Sequence, residues 1–394
     1  MSLEASALLG KARTLLPLII EHRRALHRIP EIGLDLPETA TFVAAELRTL
    51  GLEPHRVGSG MWVDIGSRGP LVALRADMDA LPIEEATGRP WASIFPGRMH
   101  ACGHDAHTAA LLVAARILAG ERDLPFRLRA IFQPGEEGYY GAKTLIEAGV
   151  LEGVSAIAAG HVGDLSDEMK SGQVAFLHGP MMAASDKFKG AFFGPGGHGS
   201  APHHSPDPIS GFAEFAVALN SLRAREFDQV KPAVISVCSV HAGTTYNVIP
   251  DRLEFLGTAR SMEGAMRALM ERRIGDTGRA IASLRGLGFD YEWLGGYPPV
   301  TNDRASSELA MSAAARMLGA ERVVALASPI MGGEDFAYYL EKVPGLFWFF
   351  NTQNPELGII NTNHNPRFDI DESLLADFVA VTIGIAQALA RRLG

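Results

Sequence analysis

Residues 100–137 read HACGHDAHTAALLVAARILAGERDLPFRLRAIFQPGEE, and the change of character inside this stretch decides the fold class. Segment 107–118 is rich in Ala and Leu, good helix formers, and predicts a helix directly after the Cys-Gly-His-Asp run. Segment 126–133 alternates and carries large apolar residues, so it predicts a strand, stopped by Pro134 and Gly135. The same succession continues outward. Helices are expected at 5–26 and 39–50, the second closed by Gly51, with a short one at 143–148. Short apolar runs at 71–75 and 156–159 predict buried strands. Strands separated by helices imply an α/β layer fold with a largely parallel sheet. From residue 185 the order becomes strand 187–193, glycine-rich loop, helix 208–225, strands 233–240 and 252–259, helix 262–285 and strand 289–294. That β-α-β-β-α-β order suits a small α+β sheet with both helices on one face. Pro298 and Pro299 mark the return, followed by a helix at 306–318, an aromatic strand at 346–350 and a final helix at 372–392. The expectation is a larger domain in two pieces, 1–184 and 297–394, with a lid domain inserted at 185–296.

A chain of 394 residues accommodates two unequal domains, and 47% apolar with 21% charged residues is the balance of a globular protein. The formal charge of -9 argues against nucleic acid or an anionic membrane as partner. The apolar run 15–20 is broken by Pro17 and far too short to cross a bilayer, and no long apolar stretch follows a basic start. Cys102 and Cys238 are too few and too far apart for a disulfide framework. The expected location is the cytoplasm.

Residues 99–107 place one thiol and three imidazoles in a short stretch. Thiolate and neutral imidazole both bind zinc-like ions, and Cys102 and His104 flank a flexible glycine that lets both point one way. A small buried Cys beside helix-capping histidines is the plainer alternative. Glu136 and Glu137 follow a predicted strand; outside a helix, neighbouring carboxylates can face different directions, one toward a metal and one toward a water. A solvated acidic loop fits them equally. His161 follows the next predicted strand, and His364 lies in a loop; each alone reads as structural. Ligands in open α/β sheets gather beyond strand ends, and Cys102, Glu137 and His161 all fall there. Asp77 and Asp79 end the strand at 71–75, as ligands, as an Asp-rich turn or, the favoured reading, as carboxylates that orient a ligand imidazole.

Many of these motifs, in order, resemble the M20 metallopeptidase family, and within it the amidohydrolase branch of hippurate hydrolases, aminoacylases and plant auxin-conjugate hydrolases. The resemblance spans nearly the whole chain: 75–82, 100–107, 133–137, Gly160-His161, Gly196-Gly197-His198, 247–250, 332–338 and 364–368. The wider family usually has a bridging Asp at the position of Cys102 and often an acidic ligand at that of His161; this chain looks like the branch with Cys and His there. The resemblance implies Cys102, His104, Glu137, His161 and His364 as metal ligands, Glu136 as catalytic base, and a lid bearing His198, Asn247 and Arg260. Asp79 is grouped with the catalytic residues.

Five protein ligands are too many for one open zinc and suit two ions sharing Cys102, with Glu137 and His364 on one and His104 and His161 on the other. This donor set admits Zn, Mn, Ni or Co. A water between the ions would have its pKa lowered to about 7, and Glu136 would take its proton during attack on an amide carbonyl and pass it to the leaving amine. His198 is expected to hydrogen-bond the oxyanion and Arg260 to grip a substrate carboxylate, while Gly332 and Gly333 let backbone approach the substrate or form a plain tight turn. The expected activity is hydrolysis of N-acyl amino acids. A dipeptidase or carboxypeptidase on the same site is the alternative, and a non-catalytic binding protein the third. A homodimer paired through the lid is expected.

Overall fold

Leu71–Asp77 is buried at every position, and so is Gly345–Phe350. A strand buried on both faces needs layers above and below it, and this is the situation of central strands in a parallel sheet. The computed structural model, which describes residues 4–393, shows that sheet. The chain clusters into two units: Met1–Met181, Thr301–Ile330 and Asp335–Gly394 in the first, Met182–Val300 and Met331–Glu334 in the second. The segment Met331–Glu334 thus groups with the second unit, although the sequence reading kept all of 297–394 together.

In the first unit eight strands run in the order His55–Val57, Gly60–Ile65, Arg127–Gln133, Leu71–Asp77, Val154–Val162, Gly345–Phe350, Val174–Phe176, Val323–Ala325. The four strands from Arg127–Gln133 to Gly345–Phe350 are parallel to one another, and Gly60–Ile65 joins them antiparallel. Helix His104–Ala119 is buried on nearly all sides, as is Leu375–Leu393, so both are interior helices. The segment Glu372–Leu393 is long and apolar enough to cross a membrane, but 89% of its apolar window is buried within the protein, where a core helix needs that composition. The expected opening helix is two helices, Ala5–Thr14 and Leu16–His27. Pro17 stands in the first turn of the second, where its missing N–H costs nothing, so the chain restarts there.

The second unit is a four-stranded antiparallel sheet in the order Ala233–Ala242, Arg252–Ser261, Ala184–Phe193, Gly288–Tyr297. Along Arg252–Ser261 exposure alternates, with Leu253, Phe255 and Ala259 turned to one face. Helices Pro208–Arg225 and Gly264–Arg285 cover that face, and Phe188, Phe192, Phe215 and Phe255 form an aromatic core between the layers.

One buried charge cluster ties the first unit together. Arg23 is 1% exposed and donates to Asp105 (2.9 Å), Asp369 (3.2 Å) and Glu372 (3.2 Å), while His27 Nδ1 lies 2.7 Å from the same Asp105 oxygen. Burial works against the Asp105 charge, but Arg23 and His27 outweigh it and hold the carboxyl well below the ordinary carboxylate range. A depressed folded-state pKa stabilises above the unfolded value of about 4 and is lost as pH falls from there toward the folded value. Asp105→Asn is expected to cost about 3–5 kcal/mol at pH 7, because Arg23 keeps its buried charge and loses a partner. The gap to wild type should narrow below about pH 4. Urea unfolding at several pH values checks both; a gap independent of pH would refute the assignment.

Candidate active site

Three parallel strands end at the same edge, and each delivers predicted site residues there. Leu71–Asp77 leads into Asp79, Arg127–Gln133 into Glu136 and Glu137, and Val154–Val162 carries His161 near its end. The carboxyl ends of a parallel sheet form the crevice where α/β proteins place ligands. Helix His104–Ala119 starts at this edge. Gly103 precedes it with φ +92°, and a Cβ there would meet Val162 Cγ2 at 2.6 Å, so only glycine lets Cys102 and His104 flank this turn.

The predicted donors in the first unit come together. Cys102, His104 and His161 have donor atoms within 4.8 Å of one another, and so do Cys102, Glu137 and His364. Cys102 belongs to both triples. His104, Glu136 and Glu137 form a further group. The imidazoles are oriented from behind: His104 Nδ1 donates to Asp79 O (2.8 Å) and His161 Nδ1 to Val162 O (2.8 Å). Each ring is thereby held in the tautomer that presents a lone pair at Nε2. His161 Nε2 lies 3.4 Å from Cys102 Sγ. His104 Nε2 is buried with no hydrogen-bond partner among the described residues, a costly arrangement that a bound cation relieves. His364 is one of two non-glycine residues with positive φ (67°) among the described residues, its N–H donates to Ala101 O (2.7 Å), and its Nε2 lies 3.1 Å from Glu137 Oε1. Thiolate, imidazole and carboxylate donors in this arrangement fit divalent transition metals.

The electrostatics agree with a cation site. Closeness to Cys102 and to Glu137 pushes His364 up to about 10. Burial lowers His104, yet Asp77 and Cys102 outweigh it and raise the ring well above its ordinary value. Burial, aided by His107, takes His161 well below. Burial raises Glu137, but His364 and His104 bring it below the ordinary range. Burial and Glu137 raise the Cys102 thiol. These groups compete for protons in the space where the donors converge.

Asp79 accepts from the backbone N–H of both Glu136 (2.9 Å) and Glu137 (3.0 Å), and Glu136 is buried. Asp77 accepts from His107 Nδ1 (2.6 Å) and Arg75 Nη1 (2.6 Å), and its Oδ2 lies 3.6 Å from His104 Nε2, so it stands beside one donor of the first triple. His107 Nε2 in turn accepts from Val162 N (2.9 Å), so both of its nitrogens are engaged.

The remaining predicted residues lie in the second unit. His198 is exposed on the short strand Gly197–His198, which pairs with Val248–Ile249, and its Nδ1 accepts from Ser200 N (3.1 Å). Asn247 is exposed, and its carbonyl accepts from Gly199 N (2.8 Å). Arg260 is half-buried; burial lowers its pKa, and Nη1 is held by Thr258 Oγ1 and Ala259 O. Gly332 O accepts from Ala183 N (2.9 Å), and a Cβ on Gly333 would sit 2.5 Å from Ser185 Cβ, so that glycine is required by contact within its own unit.

Residues 73–388 match the family described as Peptidase family M20/M25/M40. The chain belongs to this family. It is therefore a metal-dependent hydrolase acting on amide bonds, and the non-catalytic reading falls away. This M20 enzyme is 40% identical to the N-acetyl-L-cysteine deacetylase of Bacillus subtilis, over 91% of its own length and 84% of that protein's. It is 39% identical to thermostable carboxypeptidase 1 of Saccharolobus solfataricus, over 91% of both. Its fold superposes with TM-score 0.81 on the Bacillus subtilis YXEP protein, described as a dinuclear metal-binding peptidase of family M20, at 35% identity, covering 96% and 99% of the two chains.

The sequence reading gave no individual role to Arg75, Gln133, His107 or Asp335, which the structure joins in one buried network. The signal was present: Arg75 and Asp335 fall inside the motifs at 75–82 and 332–338, but a buried network between distant segments has no local spacing to reveal it. For the turn between the first two donors, Gly103→Ala should lower stability by about 1–3 kcal/mol, since it adds a clash to a left-handed backbone. Thermal unfolding of the metal-free M20 enzyme checks this; an unchanged midpoint would mean that the turn relaxes freely.

Proposed function

We propose that this enzyme releases amino acids from N-acyl amino acids, with Cys102, His104, Glu137, His161 and His364 holding two divalent ions and Glu136 acting as base. The membership of Cys102 in both donor triples carries the reading, since one donor common to two sets can bridge two adjacent ions. The similarity to a protein described as a dinuclear metal-binding peptidase supports it. When bound, zinc, manganese, nickel or cobalt would supply Lewis acidity at the amide carbonyl and the attacking water.

The chain's own residues do the rest. Glu136 takes a proton from the attacking water and delivers it to the leaving nitrogen, so the amine departs neutral. Asp79 clamps the N–H groups of Glu136 and Glu137 and keeps the two carboxylates in separate orientations. His198 donates to the developing oxyanion, while Arg260, Asn247 and the Gly332-Gly333 pair bind substrate, Arg260 through its carboxylate. The edge strand Ala233–Ala242 pairs on one side only within the chain, and a second copy covering that edge makes a homodimer. An active monomer in analytical ultracentrifugation would end the dimer proposal. The enzyme is assigned to the cytoplasm, in keeping with its free Cys102 and Cys238.

Protein reconstituted with metal should hold about two ions per chain and lose activity on thorough chelation. Glu136→Gln should keep both ions and lose roughly 100-fold or more in kcat, as for a positioned general base. Glu137→Gln should lose metal. Elemental analysis beside kinetics reads all three, and equal metal contents with similar rates would refute the division of roles.

The likeness to a thermostable carboxypeptidase favours peptide substrates as the second reading. N-acetyl and N-benzoyl amino acids assayed against dipeptides with a free amino group separate the two. The N-acyl class should lead in kcat/KM by about tenfold or more, a margin that a site built around one polar group can reach. The opposite order would assign the enzyme as a peptidase.

A further inference from the structure

Glu136 and Glu137 sit on the loop between strand Arg127–Gln133 and helix Gly141–Glu147. The fully buried carboxylate of Asp335 spans the foot of this loop. Its Oδ1 accepts from Arg75 Nη2 (3.0 Å) and Gln133 Nε2 (2.9 Å); its Oδ2 accepts from Gln133 Nε2 (2.9 Å) and from the backbone N–H of Ala142 (2.9 Å). One carboxylate therefore holds the last residue before the loop and a residue just after it. The backbone N–H of Asp335 donates to Glu136 Oε1 at 3.4 Å, so Asp335 meets the loop at its entry, its exit and its carboxylate.

The anchor is itself anchored. Arg75 Nε donates to Gln133 Oε1 (2.9 Å), which fixes the amide so that its NH2 faces Asp335. Arg75 Nη1 reaches Asp77, Asp77 reaches His107, and His107 accepts from the N–H of Val162, next to His161. These bonds converge on the functional strand ends, whereas a carboxylate serving only stability is placed more cheaply at the surface.

We propose that Asp335 is a positioning residue that fixes the Glu136 loop and so aims the carboxylate of Glu136 at the attacking water. This inference rests on the assignment of Glu136 as base. In Asp335→Asn one acceptor oxygen becomes an NH2 that faces existing donors, so at least one staple is lost while size is kept. The expected result is a fall in kcat of roughly 10- to 100-fold with metal content retained, the usual scale for a residue acting through a functional one. KM should stay within about twofold, because the effect is confined to the chemical step.

The decisive measurement is a double-mutant cycle with Glu136→Gln, using the N-acyl amino acid turned over fastest in the panel. If Asp335 acts through Glu136, adding Asp335→Asn to Glu136→Gln lowers the residual rate no further. If Asp335 serves the fold or the metal site generally, it lowers the rate by the same factor in both backgrounds, and the proposal is overturned; loss of metal from Asp335→Asn overturns it too. The Glu136→Gln single variant reports separately on the base: a wild-type rate there removes that assignment and the role of Asp335 with it. Should Asp335→Asn fail to fold, Gln133→Met cuts the entry staple while leaving the Arg75–Asp335 pair, and the same cycle applies with the same two outcomes.

Discussion

Burying an imidazole is costly unless its nitrogens find partners, and the orientation of the two donor rings in the candidate site follows from that cost. His104 and His161 each give Nδ1–H to a main-chain carbonyl, which leaves Nε2 lone pairs in a region that also contains Cys102. Neither ring can rotate without losing a buried bond. The carbonyls belong to Asp79, two residues beyond one strand, and to Val162, the last residue of the adjacent parallel strand, so ring orientation depends on where those strands end. Gly103 and the left-handed backbone at His364 bring the other donors to the same place.

Around this centre the ionisable groups divide by what faces them. Asp79 spends both oxygens on the N–H groups of the two neighbouring glutamates, which leaves those side chains free to take different tasks. Asp77, two residues earlier, accepts from Arg75 and His107. In a strand successive side chains alternate in direction, yet residues two apart share a face. Asp79 lies beyond the last strand residue, Asp77, and both carboxylates come within 3.6 Å of the His104 ring. The farther cluster of Arg23, His27, Asp105 and Asp369 stands behind the start of helix His104–Ala119 and binds it to helix Leu16–His27 and to the segment before the last helix.

The second unit obeys different physics. Its sheet has one aromatic face buried under two helices, and the other face is largely polar, so its strands alternate where those of the first unit do not. Its element order was legible: the six expected elements, strand, helix, two strands, helix and strand, are all present. The shortest strands of the large sheet were not legible. His55–Val57, Val174–Phe176 and Val323–Ala325 are three residues each, too short to show any period, and they exist because a neighbouring strand offers bonds.

The sequence by itself determined the fold class, the family and the donor types, because these reside in short segments whose composition and order are local properties. Cys102, Glu137 and His161 stood out as candidate donors beside predicted strand ends, His104 by its place one glycine beyond Cys102, and His364 through its motif. Only the tertiary structure decided which nitrogen each imidazole presents, and that Asp77 and Asp79 stand on either side of the His104 ring. It alone brought Asp335 to Gln133 and Ala142, some two hundred positions earlier in the chain. Such contacts arise from strand register and from closing long loops, and a sequence records the residues at both ends of a loop without recording that they meet.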